Sequence, residues 1–428
     1  MKIETPETHI GIIGGGPMAL MLYKRLIESG IKNLKITIFE KQKQLGVGMP
    51  YSSLGANDEH VTNVSDIEIP ELVMPMKEWI KTAPTELLKR FDINSANFNE
   101  YKVVPRLLLG EYLSDQFEIL LEHSKKIGLK TVVKFETAVT DVVDERDSLT
   151  IVTNKGEVKG LHHIMIATGH QWSAKNDKKF KNYFDSPYPP SKLKIKANYP
   201  VAIKGASLTA IDAIRTLARE NGCFSKNEDG SLTYNLNDDS PEFSLILHSI
   251  DGLLPAIRFH LEDVHHSDDS VLSDEETKEV MDANDGFIPL DYLFERNFKN
   301  SFIKKDSDFY QEIKNLTIEA FVEKMMALRE KLDAFVLFKA EYAEAEKSIK
   351  RKESIYWKEM LTELSFAMNY PAKHFSAEDM IRLKKVLIPL ISIVIAHVPQ
   401  SSCRELIALY DANVLTLIEV NPESKVEP

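Results

Sequence analysis

The stretch between residues 10 and 40 constrains the fold of this chain more than any other part of the sequence. An apolar run at residues 10–13 leads into three consecutive glycines at 14–16. A segment with one apolar face follows, and a second apolar run at residues 36–39 ends in Glu40. This order predicts a strand, a tight turn, a helix and a parallel strand, which together start a doubly wound α/β sheet.

The residue types in this turn are those that a dinucleotide site requires. Gly14 allows the tight turn, Gly16 allows the backbone to approach a pyrophosphate, and Ala19 allows the helix to pack closely on the strand. The helix N-terminus presents free N–H groups and its positive dipole end to phosphates. Glu40 ends the second strand, where its carboxylate can accept hydrogen bonds from ribose hydroxyls. The alternative is a turn that kept the fold and lost its ligand, which the entropic cost of three glycines disfavours.

The composition excludes several classes of function. A length of 428 residues suits two or three domains. The net charge of −12 excludes a surface that binds nucleic acid or an anionic membrane as a whole. Cys223 and Cys403 form no Cys-x-x-Cys motif, which disfavours a dithiol redox centre and favours a reducing, cytoplasmic setting. The longest apolar run, residues 386–396, contains Pro389 and is too short to span a bilayer.

Four further patterns predict local structure. Residues 164–167 are apolar and precede the Thr168-Gly169 turn, which is typical of a buried parallel strand. Residues 321–338 carry apolar side chains at helical spacing, which favours helix core and leaves open an apolar pocket. Residues 226–239 predict a polar hairpin or loop, and residues 414–420 predict a final strand.

A second strand, turn and helix begins near residue 200, and Gly205 opens its turn. Ser207 places a side chain where the backbone should approach the pyrophosphate, although its hydroxyl could bind a phosphate oxygen. The partner strand ends in the sequence His248-Ser249-Ile250-Asp251, which offers no arginine to a 2′-phosphate. Asp251 would repel such a phosphate. The sequence therefore disfavours NADPH, allows NADH and leaves open the loss of a nicotinamide site.

These segments together resemble the flavoproteins with two dinucleotide-binding domains, and within them the FAD-NAD(P)-binding, flavin monooxygenase-like group. The resemblance covers most of residues 8–260 and covers the helical remainder only loosely. The segments that carry it are residues 11–20, 46–52 with 62–64, 103–113, 164–170 and 201–212.

The resemblance implies an α/β fold in three regions. Residues 1–198 would form an FAD-binding Rossmann-like domain. Residues 199–285 would form a smaller nucleotide-binding-like domain, and residues 286–428 a mostly helical C-terminal part. The chain shows no C-terminal element of the kind that covers the flavin in many relatives. Two alternatives follow: the flavin site is more exposed, or another polypeptide supplies the lid.

The same resemblance assigns residues to the cofactors, which would be FAD in the first site and NADH or NADPH in the second. Arg106 matches an arginine that faces the cofactor region in this group, but a surface or helix-capping role is an equal alternative. The expected FAD-binding residues are Gly14, Gly15, Gly16, Pro17, Met18, Ala19, Glu40, Lys41, Gly48, Met49, Pro50, Tyr51, Asn63, Val64, Arg106, Val139, Ala167, Thr168, Gly169 and His170. The expected residues of the second turn are Gly205, Ala206, Ser207, Leu208 and Thr209.

The function that this implies is an FAD-dependent oxidoreductase, an NAD(P)H-dependent, monooxygenase-like enzyme that acts on a small polar molecule such as an amino acid or amine. The sequence identifies no catalytic residue. Two alternatives remain, a non-catalytic protein that senses FAD or a nucleotide, and one subunit of a heteromeric flavoenzyme. A partner subunit or a second copy of the chain is therefore open, whereas nucleic acid and membrane partners are not expected.

Histidines and acids near residue 260 raise the question of a metal site. Their spacing lacks the His-x-x-x-His pattern with a third ligand, so that a solvated acidic surface is the better interpretation and no metal is expected. The residues concerned are His260, Glu262, Asp263, His265 and His266.

Overall fold

The chain divides into two compact units, Met1–Leu193 and Lys194–Pro428. We call them the first and second units; the division into three regions remains a prediction. Within the described ranges, no helix has both the length and the apolar character that a membrane crossing requires. The computed structural model describes residues 7–172, 174–177, 179–250, 252–262, 271–395, 397–421 and 423–425.

The first unit combines strands and helices in an α/β fold, as the sequence predicts. Its elements are β1 (Thr8–Ile13), α1 (Pro17–Glu28), β2 (Leu34–Phe39), β3 (Val61–Ser65), α2 (Met76–Thr82), α3 (Thr85–Arg90), β4 (Val103–Pro105), α4 (Arg106–Lys126), β5 (Lys130–Lys134), β6 (Val139–Asp144), β7 (Leu149–Thr153), β8 (Gly156–Leu161) and β9 (His163–Ile166).

A four-stranded parallel sheet organises this unit, with the strand order β5-β2-β1-β9. The chain leaves β1 towards β2 on one side and later returns to β9 on the other. The order therefore reverses at β1, and ligands of open α/β sheets bind beyond the carboxyl ends of the strands at such a point. Ile12 of β1 and Ala19 and Leu20 of α1 are fully buried, which packs the helix on the sheet. Strands β6, β7 and β8 form a separate antiparallel sheet.

Strand β9 corrects one expectation from the sequence. It pairs in parallel with β1 as predicted, but it lies at the edge of the sheet and is not buried. Met165 is 39% exposed and Ile166 is 72% exposed. The prediction of a buried strand is wrong because β9 has a strand neighbour on one side only within the described residues, and an apolar run alone does not distinguish a central strand from an edge strand.

The second unit joins a small parallel sheet to many helices. Its elements are β10 (Pro200–Lys204), α5 (Leu208–Asn221), β11 (Gly222–Lys226), β12 (Leu232–Leu236), β13 (Ser244–Ile250), α6 (Asp274–Asp282), α7 (Leu290–Asn297), α8 (Phe302–Lys305), α9 (Ser307–Ile313), α10 (Ile318–Lys331), α11 (Ala334–Arg351), α12 (Tyr356–Ala367), α13 (Ala377–Arg382), α14 (Ile388–Ile395), α15 (Gln400–Asp411) and β14 (Leu415–Val420).

The parallel sheet of the second unit has the order β10-β13-β14, so that the predicted final strand is its third member. Strands β11 and β12 form a hairpin over residues 222–236, which begins and ends a few residues before the polar hairpin or loop predicted at residues 226–239. Strand β10 has no partner on its other side among the residues that the structure describes. Within the part of the chain that the structure describes, the sheet thus contains the strand–helix–strand unit of a mononucleotide site without the strand that would complete the crevice beside β10.

The apolar run at residues 321–338 forms two helices. α10 ends before Leu332, and α11 begins after Asp333, whose carboxylate caps it by accepting backbone N–H bonds. Leu328 is 58% exposed, Leu332 42% and Val336 58%. The expectation of helix core is therefore wrong at these three positions, because apolar residues at helical spacing do not by themselves show which of them meet a packing partner.

Candidate functional site

The first glycine of the turn lies where β1 and β9 end side by side. Gly14 has a φ of +98°, and its amide donates to the Phe39 carbonyl oxygen at 2.9 Å. The Ala167 amide donates to the Ile13 carbonyl oxygen at 2.8 Å. A Cβ on Gly14 would overlap the Ala167 carbonyl oxygen. Both the backbone conformation and the available space therefore require glycine here.

A loop at residues 45–48 lies over the turn. The Gly46 amide donates to the Gly15 carbonyl oxygen at 2.7 Å. A Cβ on Gly15 would overlap the Leu45 side chain, and a Cβ on Gly16 would lie 3.2 Å from the Gly48 Cα. The glycine turn is therefore enclosed by the loop at residues 45–48, which approaches its backbone closely.

The N-terminus of α1 has the features of an anion site. Gly16 is the N-cap, Pro17 occupies the first turn, and neither a side-chain cap nor an acidic residue is present there. Met18 is 66% exposed, whereas Ala19 is fully buried against the sheet. The N–H groups and dipole of this helix end are thus available to a phosphate.

Glu40 is buried beside the turn. Its Oε2 accepts a hydrogen bond from the Gly15 amide and its Oε1 accepts one from the Gln42 amide, both at 2.7 Å. A carboxylate has about four acceptor positions, so that each oxygen retains one for a ribose hydroxyl. The neighbouring Lys41 is exposed.

The loop after Gly48 is held on α4. The Tyr51 carbonyl lies against Gly110, where a Cβ would overlap it. Met49 and Tyr51 are half-buried, and Pro50 is exposed. Burial raises the pKa of the Tyr51 hydroxyl, and the positive charge of Arg106 opposes that rise. Four of the expected FAD residues thus lie on one loop fixed by a helical glycine.

Arg106 makes contacts with two other segments. Its Nε donates to the Val61 carbonyl oxygen at 2.9 Å, and Nη1 donates to the Tyr188 hydroxyl at 3.4 Å. Val64 is half-buried and Asn63 exposed on β3, the strand that begins at Val61. The sequence did not identify Tyr188, since contacts across 82 residues leave no local signal.

An aromatic cluster follows the end of β9. Residues 168–170 are exposed and residue 167 is half-buried. The His170 ring lies 4.6 Å from Trp172, and Trp172 lies 5.6 Å from Tyr188. Val139 is half-buried at the start of β6, where it pairs with Thr153. Through Tyr188, this cluster is connected to Arg106.

The second turn repeats the backbone of the first but not its enclosure. Gly205 has a φ of +92°, and its amide donates to the His248 carbonyl oxygen at 2.8 Å. A Cβ on Gly205 would meet no atom within 4 Å. Ser207 is the exposed N-cap of α5 and makes no side-chain cap bond. Residues 206, 208 and 209 are half-buried.

The predicted acidic surface near residue 260 is only partly described. Glu262 forms an ion pair with Lys305 at 2.9 Å, and the His260 amide donates to Ser348 at 3.0 Å. The described residues contain no group of three potential metal ligands. The other members of that cluster, Asp263, His265 and His266, lie outside the described residues. The same holds for Asp251, the acid expected to repel a 2′-phosphate.

Two family models match this chain. Residues 11–171 match the model described as FAD-NAD(P)-binding, and residues 273–395 match a YdhS-like middle domain. The first match confirms the resemblance inferred from the glycine turn and, with it, the expectation of FAD with NADH or NADPH as a possible second cofactor. The sequence motifs did not reveal the similarity of residues 273–395 to this second family model.

Two individual proteins are similar to this chain in sequence. The uncharacterized protein YdhS of Escherichia coli (strain K12) is 27% identical over 426 residues, which cover 98% of this chain and 78% of YdhS. Trimethylamine monooxygenase of Pelagibacter ubique (strain HTCC1002) is 27% identical over 173 residues, 38% of this chain and 36% of that protein.

Two solved structures show weaker likeness. The bacillithiol disulfide reductase of Staphylococcus aureus has 19% identity and a TM-score of 0.34, and the match covers 57% of each chain. The cadaverine monooxygenase DfoA of Erwinia amylovora has 11% identity and a TM-score of 0.40, over 73% of this chain and 66% of that chain. The chain therefore spans little more than half of the reductase.

Proposed function

We propose that this chain, whose residues 11–171 form an FAD-NAD(P)-binding domain, is an FAD-dependent oxidoreductase of the monooxygenase-like type that a nicotinamide dinucleotide reduces. Its substrate would be a small polar molecule such as an amino acid or amine. The match to a trimethylamine monooxygenase supports the amine class.

The residues of the first turn fit FAD. The amides at the start of α1 would bind the pyrophosphate, and the Glu40 carboxylate would accept hydrogen bonds from the adenosine ribose. The loop carrying Tyr51, fixed on α4, would lie beside the ring system together with Arg106. When bound, FAD supplies hydride acceptance and oxygen chemistry, while the chain supplies orientation and exclusion of water.

The single observation that carries this proposal is the enclosed glycine turn. A Cβ at Gly14 or Gly15 would overlap neighbouring atoms, and Gly16 has only 3.2 Å to the Gly48 Cα. The glycines leave the uncapped amides at the start of α1 clear of side chains, with the Glu40 carboxylate beside them. This is the arrangement that a pyrophosphate and its ribose require.

Anaerobic reduction of the purified protein tests the proposal. We expect a yellow protein that releases FAD on heating and whose flavin absorbance is bleached by NADH or NADPH. Oxygen readmitted with a panel of amines and amino acids should then restore the absorbance and oxygenate one of them. A colourless protein that takes up no FAD during refolding would contradict the flavin site, and failure of both nucleotides to bleach the flavin would contradict the oxidoreductase.

A non-catalytic flavin or nucleotide sensor is the second candidate. The open surroundings of Gly205 and the unpaired edge of β10 among the described residues favour it, because both weaken the case for a second dinucleotide site. Such a protein would hold FAD that neither nucleotide bleaches. If addition of a partner protein restored bleaching, the chain would be one subunit of a heteromeric enzyme.

A further inference from the structure

The two glycine turns have the same hydrogen-bond geometry, which identifies equivalent positions. The Gly14 amide donates to the carbonyl oxygen of Phe39, and the Gly205 amide donates to that of His248, at 2.9 and 2.8 Å. Each bond joins the first glycine to the residue just before the expected ribose-binding position. Ser249 therefore stands in the second unit where Glu40 stands in the first.

Ser249 cannot replace the carboxylate of Glu40. It is buried, and its hydroxyl donates to the Leu253 carbonyl oxygen at 2.5 Å. Its side chain has a single, uncharged oxygen, which cannot accept hydrogen bonds from both ribose hydroxyls as the two oxygens of a carboxylate can. Glu40, in contrast, has acceptor positions on both oxygens. Ser249 thus leaves the carboxylate role at the second turn to another residue, and Asp251, which the sequence suggested, lies outside the described residues.

The neighbouring strand supplies such an acid. β13 and β14 are parallel, and Ser249 lies opposite Glu419 in their register. Glu419 is exposed, and its Oε2 lies 3.8 Å from the position that a Cβ on Gly252 would occupy. The Gly252 amide donates back to the Ser249 carbonyl oxygen at 3.3 Å. The carboxylate thus lies beside the end of β13, over a loop position that has no side chain.

We infer that Glu419 provides, from β14, the carboxylate that binds the adenosine ribose at the second turn and makes this protein select NADH over NADPH. The inference rests on the proposed function, since it assumes a nicotinamide dinucleotide at this turn. A carboxylate accepts hydrogen bonds from the 2′-hydroxyl of NADH and repels the 2′-phosphate of NADPH. Among described residues, Glu419 has no hydrogen-bond or ion-pair partner that would occupy it.

Calorimetric titration of the full-length, FAD-loaded protein with ADP-ribose and with 2′-phospho-ADP-ribose tests this inference without turnover. We expect the wild type to bind ADP-ribose at least tenfold more tightly. Glu419→Gln should remove most of that preference, and Glu419→Arg should reverse it. Glu228→Gln, which removes an exposed acid at the hairpin turn between β11 and β12, is the matched control and should keep the wild-type ratio.

The outcomes separate this inference from the proposed function. An unchanged binding ratio in Glu419→Gln, a wild type that prefers the 2′-phosphate, or no binding of either compound would overturn the role of Glu419. Anaerobic reduction of the same samples tests the enzyme. If NADH and NADPH bleached the flavin equally, the oxidoreductase function would stand and the proposed selectivity would be refuted. If neither nucleotide bleached the flavin, the proposed function would be refuted.

Discussion

A comparison of Gly14 with Gly205 distinguishes the effect of a substitution on ligand binding from its effect on backbone strain. Their φ angles of +98° and +92° are alike, but only a Cβ on Gly14 would overlap backbone, at Ala167. We expect Gly14→Ala to weaken FAD binding by roughly 100-fold, about 2.7 kcal/mol, because the turn must move. Gly205→Ala should cost only the left-handed strain of about 1–2 kcal/mol in unfolding free energy. Fluorescence titration with FAD measures the difference, and equal FAD affinities in both variants would contradict the role of the first turn.

At Glu40, we expect the charge of the side chain to matter more for FAD binding than its shape. Glu40→Gln keeps the size of the side chain but loses the charge that strengthens its bonds to the Gly15 and Gln42 amides and to a ribose. We expect FAD affinity to fall roughly tenfold, about 1.4 kcal/mol. Glu145→Gln, at an exposed position between β6 and β7, should leave the dissociation constant unchanged. A Glu40→Gln protein with wild-type affinity would mean that the ribose is bound elsewhere.

Helices α5 and α15 are joined by a buried ion pair. Arg215 donates to both carboxylate oxygens of Glu405 at 2.8 and 2.9 Å, and Arg219 donates to the same oxygens. We expect Glu405→Ala to lower the free energy of unfolding by about 3–5 kcal/mol, because Arg215 would remain buried without its partner. Arg219→Ala removes the more exposed arginine and should cost less. Urea unfolding followed by circular dichroism compares them, and equal losses would contradict this ranking.

The same pair predicts how stability depends on pH. Burial raises the pKa of Glu405, but the two arginines outweigh it and lower the pKa to about 2. Since this value lies below the ordinary 4.5, the stabilisation is complete above the ordinary value and is lost as pH falls from there towards 2. Urea unfolding of wild type and Glu405→Gln from about pH 6 to pH 3 should show a difference that shrinks only below about pH 4.5. A difference independent of pH would exclude ionised Glu405 as its source.

Local patterns predicted the elements near the first turn better than their surroundings. The strand, glycine turn, helix and Glu40 follow one another within 31 residues, so that backbone geometry and periodicity determine them. The edge position of β9, with Ile166 exposed, depends on which strands pair across the sheet. The pairing of Arg215 with Glu405 spans 190 residues. Such contacts depend on the tertiary fold, and a single sequence contains no periodic signal for them.

For the full chain, FAD binding should appear as a gain in stability that depends on the first turn alone. A ligand at about 100 times its dissociation constant adds about 2.7 kcal/mol to the unfolding free energy of the state that binds it. At about 100 times the wild-type dissociation constant, we expect FAD to raise the Tm of the wild type and of Glu405→Ala clearly and that of Gly14→Ala only slightly. Differential scanning calorimetry with and without FAD measures these shifts. A Gly14→Ala protein stabilised by FAD as strongly as the wild type would show that the ligand binds away from the glycine turn, and an unshifted wild type would show that the chain does not hold FAD.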